Sequence, residues 1–129
     1  MTSKLVPSDA HLNFELDKKE IDDATIGQCN DRHILCEFCE TLIIPEGNAT
    51  KVQLEVDLIQ NTMREYDCIS SYWHIDTLTR CENIEVHQIE GSVKYLCCLS
   101  CQSNIIGYQV ITSPHLIFIA CDRVKEEII

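Results

Sequence analysis

Two Cys-x-x-Cys pairs constrain this sequence more than any other feature. The first is CEFC at residues 36–39, and the second lies within CCLSC at residues 97–101. Two residues between paired thiols allow one tight turn to direct both sulfurs at a single point, and a second such turn completes a tetrahedron. The spacing therefore predicts one structural zinc ion, which joins the start of the domain to its last third. The predicted ligands are Cys36, Cys39, Cys98 and Cys101.

The other cysteines show no comparable spacing. Nine cysteines are many for 129 residues, but disulfides do not persist in a reducing cytosol, so paired cysteines there indicate a metal site. Cys97 alternates to the opposite strand face from Cys98, and we expect it in the core. His33 is an alternative ligand close to the first pair, although an ordinary strand or surface histidine explains it better. We interpret the remaining thiols as core or incidental: Cys29, Cys68, Cys81 and Cys121.

Four thiolates would close the coordination shell of the predicted zinc. A closed site leaves no position for a water molecule, so it does not support zinc-dependent hydrolysis or deamination. The five histidines show no metal-ligand spacing, and the sequence contains no recognisable nucleophile motif. We therefore expect a protein that does not catalyse covalent chemistry.

The charge of the chain restricts its partners. It has 21 acidic and 10 basic residues, for a formal net charge of −11. A strongly negative protein is repelled by nucleic-acid phosphates and by anionic lipid headgroups, so neither is an expected partner. The N-terminal stretch has no apolar signal-peptide segment, and the longest apolar runs are too short to span a bilayer. We expect a soluble, cytoplasmic monomer that does not insert into membranes.

The chain divides into a tail and one domain. Residues 1–28 are polar and charged without clear periodicity, so we predict an acidic N-terminal tail or edge segment there. Residues 29–129 form the predicted zinc-binding β domain. Short strand-like runs, separated by turn signals at roughly ten-residue intervals, indicate antiparallel sheets, and no helical stripe of any length appears.

One run alternates between apolar and polar residues almost without interruption. In ATKVQLEVDLI, at residues 49–59, every second residue from the first valine to the second leucine is apolar. This period is typical of a half-buried strand. The residues predicted to share its buried face are Val52, Leu54, Val56 and Leu58.

Several motifs beyond the cysteine pairs resemble one protein family, in the family's own order. CEFC matches the first knuckle, ENI at 82–84 matches a Glu-Asn-Val loop, and VKYLCCLSC matches the strand that enters the second knuckle. IIGY at 105–108 and the later LIFIACDRV match the strands that follow. On these motifs the sequence is identified as a member of the family of Rab-interacting factor, or mammalian suppressor of yeast Sec-four. Its yeast relative is the Dss-four suppressor.

The resemblance implies an Mss-four-like fold, in which twisted antiparallel sheets carry a zinc site at one end. It also implies binding to Rab-type small GTPases of the secretory pathway, with a preference for the nucleotide-free form. Family members accelerate guanine-nucleotide release slowly and then hold the empty GTPase, more as a chaperone than as an efficient exchange factor. Their contact surface corresponds here to Glu82, Asn83, Ile84 and Ser100.

The sequence departs from the family at two positions of this surface. Glu85 replaces a glycine that would permit a positive φ or the close approach of a partner. Ser100 replaces an aspartate and so removes a carboxylate. We expect the fold to survive both changes, and nucleotide release to be the property that they affect.

Two alternatives use a similar zinc-stapled architecture. A binding adaptor of the Yippee or cereblon kind, without exchange activity, would capture a ligand in an aromatic pocket, which Trp73, Tyr72 and Tyr108 could line. An aromatic content of 6% offers little for such a pocket. A methionine sulfoxide reductase would need a reactive, exposed cysteine on a late strand, for which Cys121 is the candidate.

Overall fold

A computed structural model of the chain describes residues 29–59, 66–102 and 105–127. The acidic tail predicted for residues 1–28 lies outside these ranges. The described residues form nine β-strands and two 3₁₀ turns, and none of them lies in an α-helix. No helix in this part of the chain is long and apolar enough to cross a bilayer. The prediction of a mainly β fold is confirmed.

The elements follow one another closely along the chain. The strands are β1 (Ile34–Cys36), β2 (Leu42–Ile44), β3 (Thr50–Ile59), β4 (Tyr66–Ile75), β5 (Ile84–Glu90), β6 (Val93–Cys98), β7 (Ile105–Val110), β8 (Ser113–Ala120) and β9 (Val124–Glu126). The two 3₁₀ turns are Leu78–Arg80, between β4 and β5, and Cys121–Arg123, between β8 and β9.

The strands form two antiparallel sheets. The larger sheet has six strands in the order β3-β4-β8-β7-β6-β5, and the smaller has three in the order β2-β1-β9. In the smaller sheet the first described strand pairs with the last, so that Ile34 lies opposite Glu126. This pairing closes the domain by joining its two ends.

The long edge strand β3 has the alternation that its sequence predicts. Val52, Leu54, Val56 and Leu58 are buried, and the residues between them are exposed or half-buried. The four side chains belong to one apolar cluster, so the predicted buried face is confirmed.

The larger sheet buries aromatic side chains at the centre of one face. Tyr72, Tyr108 and Phe118, from three neighbouring strands, belong to this first cluster. Their ring centroids lie 5.3–6.3 Å apart in tilted or edge-on arrangements. Such geometries are favoured between aromatic rings and add to the stabilisation from burial alone.

The smaller sheet covers the opposite face of the larger one. In this second cluster, Trp73 and Ile119 of the larger sheet pack with Ile34 and Ile43 of the smaller sheet. Trp73 and the two buried tyrosines therefore occupy different clusters on opposite faces of the sheet. The aromatic pocket that the adaptor alternative required from these three residues does not form.

Strands β7 and β8 approach each other closely at Gly107. This residue lies opposite Ile119 in the pairing of the two strands. A Cβ atom at position 107 would collide with the backbone carbonyl oxygen of Phe118. The close approach gives a physical reason for the glycine of the Ile-Gly motif.

A buried arginine fastens the ends of several strands. Arg123, in the second 3₁₀ turn, is 5% exposed. Its guanidinium donates to the carbonyl oxygens of Leu58 (3.1 Å), Ile59 (3.0 Å) and Ile105 (2.6 Å), and to the Asp67 carboxylate (3.0 Å). The planar fork of arginine suits several acceptors at once. These bonds join the end of β3 to the starts of β4 and β7.

Candidate metal centre

The two cysteine pairs meet between the two sheets. The Sγ atoms of all four predicted ligands lie within 4.8 Å of one another. Cys36 Sγ is 3.6 Å from Cys101 Sγ, and Cys39 Sγ is 3.6 Å from Cys98 Sγ. The prediction that these distant segments converge on one point is confirmed.

Each pair is held by the same kind of turn. The first turn connects β1 to β2, and the second follows the end of β6. After the last cysteine of each pair, Glu40 (φ 62°) and Gln102 (φ 51°) adopt the left-handed backbone conformation. Their N–H groups donate to the carbonyl oxygens of Cys36 (3.0 Å) and Cys98 (2.8 Å). The repeated geometry directs both thiols of each turn to one side. We call the two turns the first and second knuckles.

The four thiols have unequal environments. Cys36 and Cys98 are buried, Cys101 is half-buried and Cys39 is exposed. Burial raises the pKa of Cys36 to about 12 and also raises the pKa of Cys98. The Thr41 hydroxyl lies 3.1 Å from Cys39 Sγ, and this hydrogen bond lowers the pKa of Cys39 to about 6. Without a metal, the buried thiols therefore hold their protons while the exposed one ionises readily.

The arrangement fits a tetrahedral metal ion. Zinc–sulfur bonds of ~2.3 Å in a tetrahedron place the sulfurs roughly 3.8 Å apart, which is close to the separations observed. Soft thiolate ligands in this number suit zinc. The four cysteines could therefore hold a metal ion, and four protein ligands would leave no open coordination position.

The remaining cysteines stand outside this cluster. Cys97 is buried, Cys81 and Cys121 are half-buried, and Cys29 and Cys68 are exposed. Burial raises the pKa of Cys81 to about 12 and that of Cys121 to about 11. A reactive cysteine needs a lowered pKa, so the environment of Cys121 is the opposite of what the reductase alternative requires.

His33 has a structural partner. Its Nδ1 atom accepts a hydrogen bond of 3.0 Å from the backbone N–H of Glu46. This bond supports the turn that follows β2, and the histidine is not among the residues that converge on the metal centre. The interpretation of His33 as an ordinary structural histidine is the one that the geometry favours.

The predicted contact loop is bonded to the second knuckle and to β2, the strand that follows the first knuckle. Glu82 is exposed, Asn83 and Ile84 are half-buried, and Ser100 is exposed within the second knuckle. The Leu99 N–H donates to the Asn83 carbonyl oxygen at 2.7 Å, so the loop and the second knuckle are neighbours. The structure brings these four residues together at the second knuckle. Their contact with a partner stays a prediction.

Glu85 adopts a normal strand conformation. It lies in β5 opposite Cys97, and its carboxylate accepts a hydrogen bond of 2.5 Å from Gln102 Nε2. The positive φ of this region falls instead on Asn83, at 56°. Position 85 therefore does not require the backbone freedom of glycine in this chain.

Exposed apolar side chains lie on both knuckles and along the edge strand β5. Phe38 in the first knuckle is 56% exposed and Leu99 in the second is 47% exposed. On the edge strand β5, Val86 is 41% and Ile89 is 62% exposed. Sequence reasoning did not identify these residues, because exposure of an apolar side chain depends on tertiary packing rather than on a local pattern.

Known proteins resemble this chain over most of its length. The family model described as Mss4 protein matches residues 29–126. One relative, from Drosophila melanogaster, is named guanine nucleotide exchange factor MSS4 homolog. It is 27% identical over 103 residues, which cover 74% of this chain and 84% of that protein. The family match includes both knuckles and all nine described strands.

Proposed function

The chain belongs to the Mss4 family, and on this premise we propose that it is a guanine nucleotide exchange factor for Rab-type small GTPases. It promotes slow nucleotide release, holds the nucleotide-free form, and acts as a cytoplasmic monomer. The family match over residues 29–126 carries this proposal. The name of the Drosophila relative supports the exchange role. We propose that residues 29–129 form the functional domain and that residues 1–28 are its tail.

The proposed activity needs no covalent step. A protein that binds the empty GTPase more tightly than the nucleotide-bound form shifts the equilibrium towards release. The same differential affinity then keeps the GTPase empty until a new nucleotide displaces the protein. Slow release followed by tight holding is the expected behaviour when the protein mainly stabilises the empty state.

The chemistry of the exposed loop suits an empty nucleotide site. Phosphate-binding sites of GTPases present backbone N–H groups and a lysine to the nucleotide. An exposed carboxylate such as Glu82 can approach these donors once the phosphates have left. The exposed apolar side chains Phe38 and Leu99, on the adjacent knuckles, supply area that a stable complex needs to bury.

A structural zinc would be held by the four cysteines of the two knuckles. When bound it supplies folding energy and fixed geometry, because a closed tetrahedral site offers no position for a reacting group. Ser100 lies between the two cysteines of the second knuckle, where a carboxylate would add a further negative group. We propose that the Ser100 hydroxyl, in place of a carboxylate, leaves the holding of the empty GTPase intact and slows nucleotide release.

Release of a fluorescent GDP analogue from a panel of purified Rab-type GTPases tests the proposal. We expect faster release from a subset of the panel when the zinc-loaded protein is added. Glu82→Gln should reduce that acceleration. Glu90→Gln is the matched control, because it lies at the far end of β5, about 20 Å along the strand from the loop. Unchanged release across the panel, together with no stable complex with any empty GTPase, would refute the proposal.

A further inference from the structure

Three hydrogen bonds converge on the loop before β5. Asn83 Nδ2 donates to the Leu42 carbonyl oxygen at 2.8 Å. The Asn83 carbonyl oxygen accepts from the Leu99 N–H at 2.7 Å, and the Glu82 N–H donates to the Ile43 carbonyl oxygen at 2.7 Å. The loop is therefore bonded on one side to β2 and on the other to the second knuckle.

These bonds connect the two sheets that carry the cysteines. Leu42 and Ile43 lie in the smaller sheet, directly after the first knuckle, and Leu99 lies within the second knuckle at the end of β6 in the larger sheet. A metal site tolerates errors of only about 0.2 Å in ligand distances. Contacts outside the cysteines that hold the two knuckles at the correct separation should therefore strengthen metal binding.

We propose that Asn83 is a positioning residue, which holds the two knuckles at the separation that one metal ion requires. The bound metal in turn fixes the loop that exposes Glu82. In this role Asn83 acts through its side-chain bond to Leu42, not as a metal ligand or a direct partner contact. Its role thus differs from the direct contact that the family resemblance implies.

Asparagine meets two requirements at this position at once. Its φ of 56° lies in the left-handed region, which glycine, asparagine and aspartate enter most readily. The bond to Leu42 requires a side-chain N–H donor at a short distance. Glycine satisfies only the backbone requirement, and an ionised aspartate would turn an acceptor towards the Leu42 carbonyl oxygen. Alanine satisfies neither requirement.

The test measures zinc affinity by competition with a chromophoric chelator, in the full chain and without any GTPase. Asn83→Gly, which loses only the amide, should weaken zinc binding roughly five- to tenfold. Asn83→Ala, which also strains the backbone, should weaken it by about a further tenfold. Asn48→Ala is the matched control. It removes an Asn Nδ2 bond of 3.0 Å to the Arg80 carbonyl oxygen, which joins no knuckle, so its zinc affinity should stay within about twofold of the parent.

Hydrogen exchange at the Leu99 amide provides a second measurement. The acceptor of this amide is a backbone oxygen that every variant retains, so faster exchange in Asn83→Gly would report a loosened connection between the sheets. The proposal fails if Asn83→Gly lowers the melting temperature but leaves zinc affinity and Leu99 exchange at parental values. The proposal also fails if Asn48→Ala weakens zinc binding as much as Asn83→Gly does.

The link from the loop to a partner rests on the proposed function, whereas the link to the metal does not. If zinc affinity falls as expected but no Rab-type GTPase binds the parent protein, the positioning role stands and the proposed function fails. If GTPases bind the parent and Asn83→Gly retains its zinc affinity, the proposed function stands and the positioning role fails.

Discussion

Two buried tyrosines on nearby strands differ in their hydrogen bonding. The Tyr72 hydroxyl donates to the Val56 carbonyl oxygen at 3.2 Å. The Tyr108 hydroxyl is buried and has no hydrogen-bond partner among the described residues. Burial raises the pKa of both groups, so both remain neutral at physiological pH. The two hydroxyls should therefore contribute differently to stability.

We expect opposite results from the two phenylalanine substitutions. Tyr108→Phe removes a desolvated hydroxyl without losing a bond, so stability should stay the same or rise by up to about 1 kcal/mol. Tyr72→Phe leaves the Val56 carbonyl without this donor and should cost about 1 kcal/mol. Urea unfolding of both variants measures the difference. Equal losses in the two variants would show that the Tyr108 hydroxyl does have a partner.

At the residue scale, the sequence predicts the metal ligands better than it predicts the residues that position them. The four metal-site cysteines could be identified because the spacing of paired thiols is itself the geometric requirement. Glu40 and Gln102 adopt the left-handed backbone conformation. Their roles could not be identified from the sequence, because neither residue is a glycine or an asparagine. Asn83 did carry a signal, since asparagine at a turn often marks that conformation. The resemblance alone indicated a partner contact there.

The second 3₁₀ turn connects several elements through one side chain. Replacement of Arg123 by methionine keeps the volume of the buried stem but removes the donors to three carbonyl oxygens at the ends of β3 and β7. We expect a loss of about 2–4 kcal/mol, mostly from these buried bonds. The pairing with Asp67 adds little, because that carboxylate is 48% exposed.

Arg123→Lys separates charge from geometry. A lysine keeps the positive charge but lacks the planar fork, so it should recover only part of the loss. Chemical unfolding of both variants gives the two values. If lysine restored full stability, the positive charge of Arg123, and not its several hydrogen bonds, would be the source of the stabilisation.

The knuckles should make metal binding dependent on pH. Zinc binds thiolates, so a thiol whose pKa is raised must lose its proton on binding, and affinity should rise with pH. The Thr41 hydroxyl lowers the pKa of Cys39 to about 6. Thr41→Val removes that hydroxyl and should raise this pKa. Zinc affinity should then fall more at about pH 6 than at about pH 8, where the parent and variant thiols differ less in ionisation.

Chelator competition at the two pH values checks this prediction, with Thr79→Val as a control. Thr79 is an exposed threonine in the first 3₁₀ turn, and it bonds to Thr77 rather than to a cysteine. An equal loss of affinity at both pH values in Thr41→Val would indicate a packing role for the threonine and no effect on the Cys39 thiol.

At the scale of elements, local patterns could be predicted and distant pairings could not. The alternation of β3 follows from its own sequence, because one buried face imposes a period of two. The pairing of β1 with β9 leaves no local signal, since the two strands are short and lie at opposite ends of the domain. Only the spacing of the cysteines indicated that remote segments meet.

The whole molecule is built from two apolar clusters that depend unequally on the metal. Cys36 and Cys98 belong to the second cluster, between the sheets, whereas the first cluster contains none of the four ligands. Removal of zinc by a chelator should therefore increase hydrogen exchange in β1, β2 and β9 more than in β3 and β4. The melting temperature should fall at the same time. Uniform loss of protection in all strands would mean that the domain unfolds as one unit.

The net charge of the chain is consistent with a protein partner that has a basic surface. With a formal charge of −11, association with such a partner should be faster at low ionic strength. The contact loop is hydrogen-bonded to the second knuckle, and Phe38 and Leu99 are exposed on the two knuckles. The metal centre and the proposed partner surface are thus adjacent.

The most direct test of the central claim is to compare affinities for two states of one GTPase. Zinc-loaded protein would be titrated into a Rab-type GTPase, once emptied of nucleotide and once saturated with GDP. We predict binding to the empty form that is tighter by about a hundredfold, the size of a strong coupling between two ligands. Equal affinity for both forms would contradict the account, because a protein without a preference cannot shift nucleotide release.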